Sequence, residues 1–343
     1  MKKSALVFSL IISTVILLSS YSLFKKEQVK DSDKVLDILV ELGYKKPLHY
    51  KPYSSLDKDK IQKGKELVTI GYTTDQNGNK TKIQSKHFLC TDCHNVKQED
   101  PDLRYSNPDT RLHYVAKHDI KFLPATTLYG IVNRETWYND DYQKKYGSLV
   151  TPAKDTLINA IHLCAVQCSQ GRELEKWEMD AVVEYFLSIG FNVSDLNLTE
   201  QEKEKIGNAL KSNSKQTEAI DIIKSKYIDY SPATFLDPIP KDKRELGKNG
   251  NADNGKLIFE LSCLTCHNEE GVTNYKLNKS TLTFQHLKFW ANTNKHYSIY
   301  EITRKGTYAM IGYNAFMPNY TLERLRHQQL EDLMAYINLK NEN

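Results

Sequence analysis

Apolar positions recur every three to four residues in four stretches of this chain, and polar residues fill the positions between them. Two of these stretches, 55–71 and 251–261, begin longer segments, and the other two, 175–190 and 326–340, close those segments. This spacing predicts amphipathic helices. The chain is therefore predicted to be all-α, with the order helix, long loop and final helix occurring twice.

The first 26 residues have a different pattern. Lys2 and Lys3 precede an uncharged run over residues 4–24, which Lys25 and Lys26 close. Such a run indicates export, and at about 20 residues it is long enough to cross a bilayer. Because no small-x-small cleavage site follows it, a membrane anchor is favoured over a cleaved signal peptide. Either prediction puts the rest of the chain on the periplasmic side of the cytoplasmic membrane.

Length and spacing predict two domains after this segment, since 343 residues exceed one ordinary domain. The predicted domains are 51–192 and 246–341. Between them, 193–245 is predicted to form two short helices and then a proline-rich linker. The first of these helices begins with Thr199 and Glu202 at the spacing of a capping box.

The charge of the chain restricts its partners. Its 47 Lys and Arg residues are interleaved with 43 Asp and Glu residues, and the formal net charge is +4. No basic stripe forms along the sequence, so a nucleic-acid partner is not expected.

Four of the six cysteines form two copies of the pattern Cys-x-x-Cys-His. The copies are Cys90, Cys93 and His94, and Cys263, Cys266 and His267. In this pattern two thiols add to the vinyl groups of one haem, and the adjacent histidine binds the iron. A redox dithiol, half a zinc site or a disulfide are the alternatives for each pair. The histidine after each pair, in two copies, favours two covalently bound haem c groups.

With these motifs the chain resembles the class I cytochrome c family over most of both predicted domains. Gly64 and Gly255 stand where the first helix of that family lets an aromatic residue of the last helix approach closely. Tyr185 and Tyr336 are the matching aromatic residues. The resemblance implies two all-α cytochrome c domains, each with its sixth iron ligand in the loop before the last helix.

In the second domain, that loop offers Met317, which Pro318 follows as in the family's Met-Pro pair. Met310 is the alternative ligand, and Met334 lies within the last helix, where a core position is expected. A histidine and methionine pair raises the reduction potential of a haem c. The second haem is therefore expected to accept or relay electrons.

The first domain has no methionine in the corresponding loop, but it has Cys164 and Cys168. A thiolate opposite a histidine lowers the potential of the iron, whose charge favours the deprotonated sulfur. The two cysteines could instead form a disulfide, although positions four apart in a helix hold their Cβ atoms about 5–6 Å apart, beyond what a disulfide prefers. His162 and Met179 are two further candidates for the iron ligand.

The segment "CAVQCSQG" resembles the ligand motif of the thiosulfate dehydrogenase family, Cys-x-x-x-Ser-x-x-Gly, with Cys168 in place of the serine and Gly171 at its end. A haem subunit of the Sox sulfur-oxidation system has the same kind of cysteine ligand. The resemblance implies that Cys164 binds the first iron and is the catalytic residue. Two thiosulfates would there be joined to tetrathionate, and the electrons would leave through the second haem to a partner cytochrome or a terminal oxidase.

Four basic residues in the first domain are candidates for meeting a sulfur oxyanion, and ordinary surface charge is the alternative for each: Lys117, Lys121, Arg134 and Arg172. The main rival function is a membrane-tethered dihaem electron carrier that is not an enzyme. A dihaem peroxidase is a third hypothesis, and it requires one iron with an open or displaceable face.

Overall fold

The computed structural model describes residues 29–212, 214–293, 296–307 and 316–342. The α-helices of these residues are α1 (Val35–Glu41), α2 (Lys58–Ile70), α3 (Cys90–Cys93), α4 (Pro108–Lys117), α5 (Asp140–Tyr146), α6 (Leu157–Leu163), α7 (Lys176–Ser188), α8 (Glu200–Ser212), α9 (Gln216–Lys224), α10 (Ala252–Ile258), α11 (Leu264–Cys266), α12 (Thr281–Thr293), α13 (Ile299–Lys305) and α14 (His327–Glu342). Two π-helical turns are Cys164–Cys168 and Phe259–Cys263. Short 3-10 turns are Tyr53–Ser55, Ile131–Asn133, Gly147–Ala153, Val193–Leu196 and Lys241–Lys243.

The predicted all-α class is confirmed for the described residues, which contain isolated β-bridges but no strand. None of the helices in those ranges is both long and apolar enough to span a membrane. The predicted signal or anchor, residues 1–26, lies outside the described ranges, so it stays a prediction.

The described residues divide into two compact units. The smaller unit combines 29–46 with Phe191–Lys226. It contains α1, α8 and α9, and the Val35 amide donates to the Phe191 carbonyl at 3.0 Å. The capping box predicted at the start of α8 is confirmed, because the Glu202 amide donates to the Thr199 hydroxyl and the Thr199 amide donates to the Glu202 carboxylate. No local pattern indicated that these helices pack with residues 29–46.

The larger unit contains residues 47–190, here called the first half, and residues 227–342, called the second half. In the first half, α2 begins at Asp57, whose carboxylate accepts from the Asp59 and Lys60 amides. It ends at Gly71, whose φ of +76° is the left-handed conformation that glycine adopts at a helix end. Helix α2 packs against the closing helix α7, as the apolar spacing of both predicts.

In the second half, α10 packs against the closing helix α14 in the same way. The core of this half contains Phe259, Phe284 and Tyr336, whose rings contact one another. Leu112 and Phe122 of the first half belong to the same buried core. The two halves therefore share a core.

Candidate functional site

The first Cys-x-x-Cys-His motif lies on the single helical turn α3. The Asp92 carboxylate accepts from the Leu89 amide at 2.7 Å and fixes the start of this turn. The His94 ring follows directly, and its Nδ1 lies 2.6 Å from the carbonyl oxygen of Thr126. Because a carbonyl oxygen can only accept, Nδ1 is the protonated ring nitrogen. The Nε2 lone pair is then available to a metal ion.

The second motif repeats this arrangement. The π-helical turn Phe259–Cys263 leads into α11, and His267 follows it. Nδ1 of His267 lies 2.6 Å from the carbonyl oxygen of Tyr275, so its Nε2 is also left to a metal. Burial lowers the pKa of both His94 and His267, which favours the neutral imidazole that a metal requires. In each half the two thiols and the oriented imidazole fit a covalently bound haem.

Each half also has a close crossing between its first and last helices. A Cβ on Gly64 would lie 2.6 Å from the carbonyl carbon of Ala181 and 2.8 Å from the Tyr185 Cβ. A Cβ on Gly255 would meet Asp332 and Tyr336 at the same two distances. Only glycine fits at contacts this short. The predicted approach of an aromatic residue to each glycine is thus confirmed.

The second half of the larger unit contains the residues that match a known protein family. Residues 252–339 match the family model of cytochrome c. This cytochrome c domain contains the second motif, Gly255, Met317 and Tyr336. Such a domain implies covalently bound haem c and a role in electron transfer by the haem. No curated protein and no solved structure matches the chain.

The π-helical turn Cys164–Cys168, here called the cysteine turn, continues α6. The Cys164 carbonyl accepts from the amide of Ser169, five residues later, at 2.8 Å. π-helical turns occur mostly within α-helices and often at functional sites. Both cysteines are free, with Cys164 half-buried and Cys168 exposed.

The cysteine turn is held by residues just ahead of the first motif. The side-chain amide of Gln84 donates to the Ala165 carbonyl at 2.9 Å, and the Ser85 hydroxyl donates to the Ser169 carbonyl at 2.5 Å. Gly171 is required here, because a Cβ would lie 2.9 Å from the Ser85 Cβ. Gln84 and Ser85 were not predicted from the sequence, since no local pattern marks partners more than eighty residues away.

The two thiols of this turn hydrogen-bond to each other. This contact raises the pKa of Cys164 well above its usual range, with burial and the nearby sulfurs of Cys168, Cys90 and Cys93 adding to the effect. The same hydrogen bond lowers the pKa of Cys168. The sulfur of Cys164 is thus within electrostatic range of both cysteines of the first motif.

The remaining candidate ligands have less distinctive surroundings. Met179 is buried within α7, and Met334 is fully buried in the second half's core as predicted. His162 is half-buried in the last turn of α6. Met317 is half-buried against the second half's core, and its amide donates to the Thr307 hydroxyl at 2.7 Å. Met310 lies outside the described residues.

Two of the basic candidates have partners within the protein. Arg172 forms two 2.6 Å hydrogen bonds with the buried carboxylate of Glu178. Arg134 donates to the Thr126 hydroxyl at 2.9 Å. Lys117 and Lys121 are exposed.

Aromatic residues pack beside the cysteine turn. The Tyr138 and Tyr142 rings meet at 4.9 Å between centroids. Burial, followed by the nearby sulfurs of Cys168 and Cys164, raises the pKa of the Tyr138 hydroxyl. Trp137 is buried and meets His49 edge-on at 5.8 Å. These contacts show that the three rings take part in packing beside the turn.

Proposed function

We propose that the chain is a dihaem c-type cytochrome, with a first haem attached to Cys90 and Cys93 in addition to the haem of the cytochrome c domain. Two repeated features support the first haem: the histidine Nδ1 that donates to a main-chain carbonyl, and the glycine crossing at Gly64. The first half lies outside the matched residues, so this haem rests on the motif and on the repeated geometry.

The proposed axial ligands of the two irons differ. His94 and Cys164 would hold the first iron, and His267 and Met317 would hold the second. The observation that supports a sulfur ligand is that both thiols of the turn lie near the first motif: Cys164 is within electrostatic range of Cys90 and Cys93, and Cys168 is within range of Cys93. The choice of Cys164 follows from the resemblance of this segment to the thiosulfate dehydrogenase motif. The positive charge of an iron favours the thiolate of whichever sulfur faces it, so Cys168 is the alternative ligand.

The proposed activity is the oxidation of thiosulfate to tetrathionate at the first haem. Two thiosulfate ions each give up one electron, and one sulfur–sulfur bond forms between them. A bound haem c supplies one-electron acceptance. Cys164 would lower the potential at the first site as a thiolate, and Met317 would raise it at the second. This difference favours electron flow from the first half to the second.

The proposed partners follow from this direction of flow. The electrons would pass to a partner cytochrome or a terminal oxidase on the periplasmic side of the cytoplasmic membrane, with residues 1–26 as the signal or anchor. Lys117 and Lys121 are the exposed cations that remain to attract a sulfur oxyanion.

A non-enzymatic electron carrier is the second candidate function, and one observation favours it. The charge of Arg172 is matched by Glu178, with both hydrogen bonds at 2.6 Å. Arg134 is likewise engaged by Thr126. Two of the four basic residues considered for substrate binding are thus engaged in contacts within the protein. This favours a carrier, because an electron carrier does not need basic residues that bind a substrate anion.

The test on the full chain combines counting of the haems, spectroscopy and the reduction of haem by thiosulfate. Mass spectrometry is expected to find two haems per chain. In low-temperature electron paramagnetic resonance, Cys164→Ala is expected to change the low-spin signal of one haem, whereas the matched Cys168→Ala leaves it unchanged. Thiosulfate added to the oxidised protein is expected to reduce its haem. Two haems without such reduction would indicate the carrier, and an unchanged signal in Cys164→Ala would reject the cysteine ligand.

A further inference from the structure

Residues 121–127, here called the strap, hold the histidine of the first motif. Besides the Thr126 carbonyl that accepts from His94, the Ala125 amide donates to the Cys93 carbonyl at 3.1 Å. Asn95, directly after His94, donates from its side chain to the Lys121 carbonyl at 2.9 Å. The orientation of the His94 ring therefore depends on where the strap lies.

The strap is also fixed by the second half. The Phe122 amide donates to the carbonyl of Leu261, two residues before Cys263, at 2.8 Å. The Leu123 carbonyl accepts from Nη2 of Arg324 at 2.9 Å. The segment that orients the first histidine is thus held by main chain and side chain of the other half.

Arg324 also pairs with the carboxylate of Glu99, which accepts a hydrogen bond from the strap. Its Nη1 and Nη2 donate to the two oxygens of Glu99 at 2.6 and 3.0 Å. Glu99 in turn accepts from the Thr127 amide at 2.9 Å and from the Asn95 side chain at 2.8 Å. The Arg324 and Glu99 side chains are 2% and 1% exposed, so little water screens the pair.

A second buried arginine leaves this cluster with an excess positive charge. Arg111 lies 3.8 Å from the Glu99 carboxylate and donates to the Arg324 carbonyl at 2.6 Å. Burial by itself would raise the pKa of Glu99, but the two arginines outweigh it and hold this pKa at about 2, so Glu99 is ionised at neutral pH. Glu99, Arg111 and Arg324 together have one net positive charge beside the strap. Arg134 and Asp100 lie within electrostatic range of the same groups. Because Glu99 contributes to raising the pKa of Asp100 to about 7, the variants below are compared in an Asp100→Asn background, in which this carboxyl group cannot ionise.

We propose that Arg324 is a positioning residue for the first haem, supplied by the second half of the chain. It fixes the strap that orients His94, and its charge raises the reduction potential of the first haem. A nearby positive charge disfavours the oxidised iron, which is the more positive of the two states. The inference rests on the proposed first haem, and it makes the potential of one half depend on a residue of the other.

Replacing Arg324 or Glu99 by the neutral residue glutamine should shift the potential of the first haem in opposite directions. Arg324→Gln removes one positive charge and is expected to lower the potential of the first haem. Glu99→Gln removes the negative charge and is expected to raise it. The double variant restores the net charge of the native cluster, so its potential is expected to return close to the native value. A purely structural role would move both single variants in the same direction.

Arg326→Gln is the matched control. Arg326 also pairs across the halves, with Asp109 at 2.6 Å, but the two side chains are 44% and 45% exposed. Solvent screens such a pair, so no change in potential is expected. A shift in Arg326→Gln as large as that in Arg324→Gln would overturn the proposal.

The measurement is a potentiometric titration of the full chain with both haems bound. A Met317→His variant, which changes the other proposed ligand of the second iron and leaves both Cys-x-x-Cys-His motifs intact, shows which of the two measured potentials belongs to the second haem. If Arg324→Gln does not retain both haems, Arg324→Lys and Glu99→Gln take its place. The proposal is supported if Arg324→Lys leaves the potential of the first haem unchanged and Glu99→Gln raises it. Any other pattern overturns it. Fewer than two haems in the native protein would reject the proposed function itself. Two haems without the sign pattern would reject only this inference.

Discussion

The ring of Phe88 meets the ring of Phe316 edge-on, with their centroids 5.2 Å apart. Phe88 lies two residues before Cys90 of the first motif, and Phe316 lies directly before Met317. This contact joins the segment of the first motif to the loop that contains Met317, the proposed ligand of the second iron. Phe88 is 6% exposed, so its ring is part of the packing between the halves.

Truncating this contact is expected to destabilise the larger unit. Phe88→Ala should lower the free energy of unfolding by about 3–5 kcal/mol, the usual effect of removing a buried phenylalanine. Urea denaturation of Phe88→Ala, Phe316→Ala and the double variant should give a coupling energy of about 0.5–1.5 kcal/mol. The control is Phe289→Ala, whose side chain is 62% exposed and whose loss should have a much smaller effect. Strict additivity of the two single variants would contradict the contact.

The helix crossings make a second prediction. Gly255→Ala and Gly64→Ala should each impair folding and haem attachment, because a methyl group would overlap the main chain of the closing helix. Gly207→Ala provides the control, since its nearest neighbour is 3.9 Å from the added Cβ. That variant should be neutral or stabilise α8 by up to about 1 kcal/mol. Haem content per chain and the midpoint of thermal unfolding measure both effects, and an equal response in all three variants would contradict the crossings.

Asp100 makes stability depend on pH. Burial, with the adjacent charge of Glu99, raises the pKa of Asp100 to about 7, and its Oδ1 is buried without a hydrogen-bond partner among the described residues. Because the folded pKa exceeds the unfolded value of 3.8, the contribution of Asp100 to stability is complete below about pH 4 and is lost as the pH rises through 7. Asp100→Asn should therefore be more stable than the native protein at pH 8.

Urea denaturation between pH 4 and 8 tests this dependence. The difference in stability between Asp100→Asn and the native protein should grow with pH. A difference that stays constant with pH would show that burial does not perturb the carboxyl group of Asp100.

The proposed second ligand makes a prediction about potential. Met317→His should lower the reduction potential of the haem at Cys263 and Cys266, because a thioether ligand raises that potential relative to an imidazole. Met334→Leu is the matched control, since this fully buried methionine fills the core and leucine has a similar volume. Redox titration with visible absorbance measures both. An unchanged potential in Met317→His would shift the assignment to Met310.

Local features of the structure could be predicted from the sequence. Helices α2 and α7 lie within the predicted stretches. They could be predicted because the spacing of apolar residues within a short segment indicates a helix. The cap at Asp57 and the capping box at Thr199 involve partners two or three residues away. The cytochrome c match over 252–339 likewise agrees with the motif and crossing glycine seen in the sequence.

Features that depend on distant partners could not be predicted. The local sequence does not indicate the π-helical turn at Cys164, which Gln84 and Ser85 hold in place by hydrogen bonds. Helix α1 was not predicted, because seven residues are too few to show a clear helical period. The residues that it packs with begin at residue 191.

By itself, the sequence determined the all-α class of the described residues, the haem chemistry of the Cys-x-x-Cys-His motif in the cytochrome c domain and the glycines at the helix crossings. Each of these depends on residue type at short spacing. Only the tertiary structure decided that the two halves share one core and that Arg324 reaches Glu99, 225 positions away in the chain. An arginine in the turn ahead of a helix has the same local pattern whether it faces water or a buried carboxylate. Which of the two it meets depends on the packing of the whole unit.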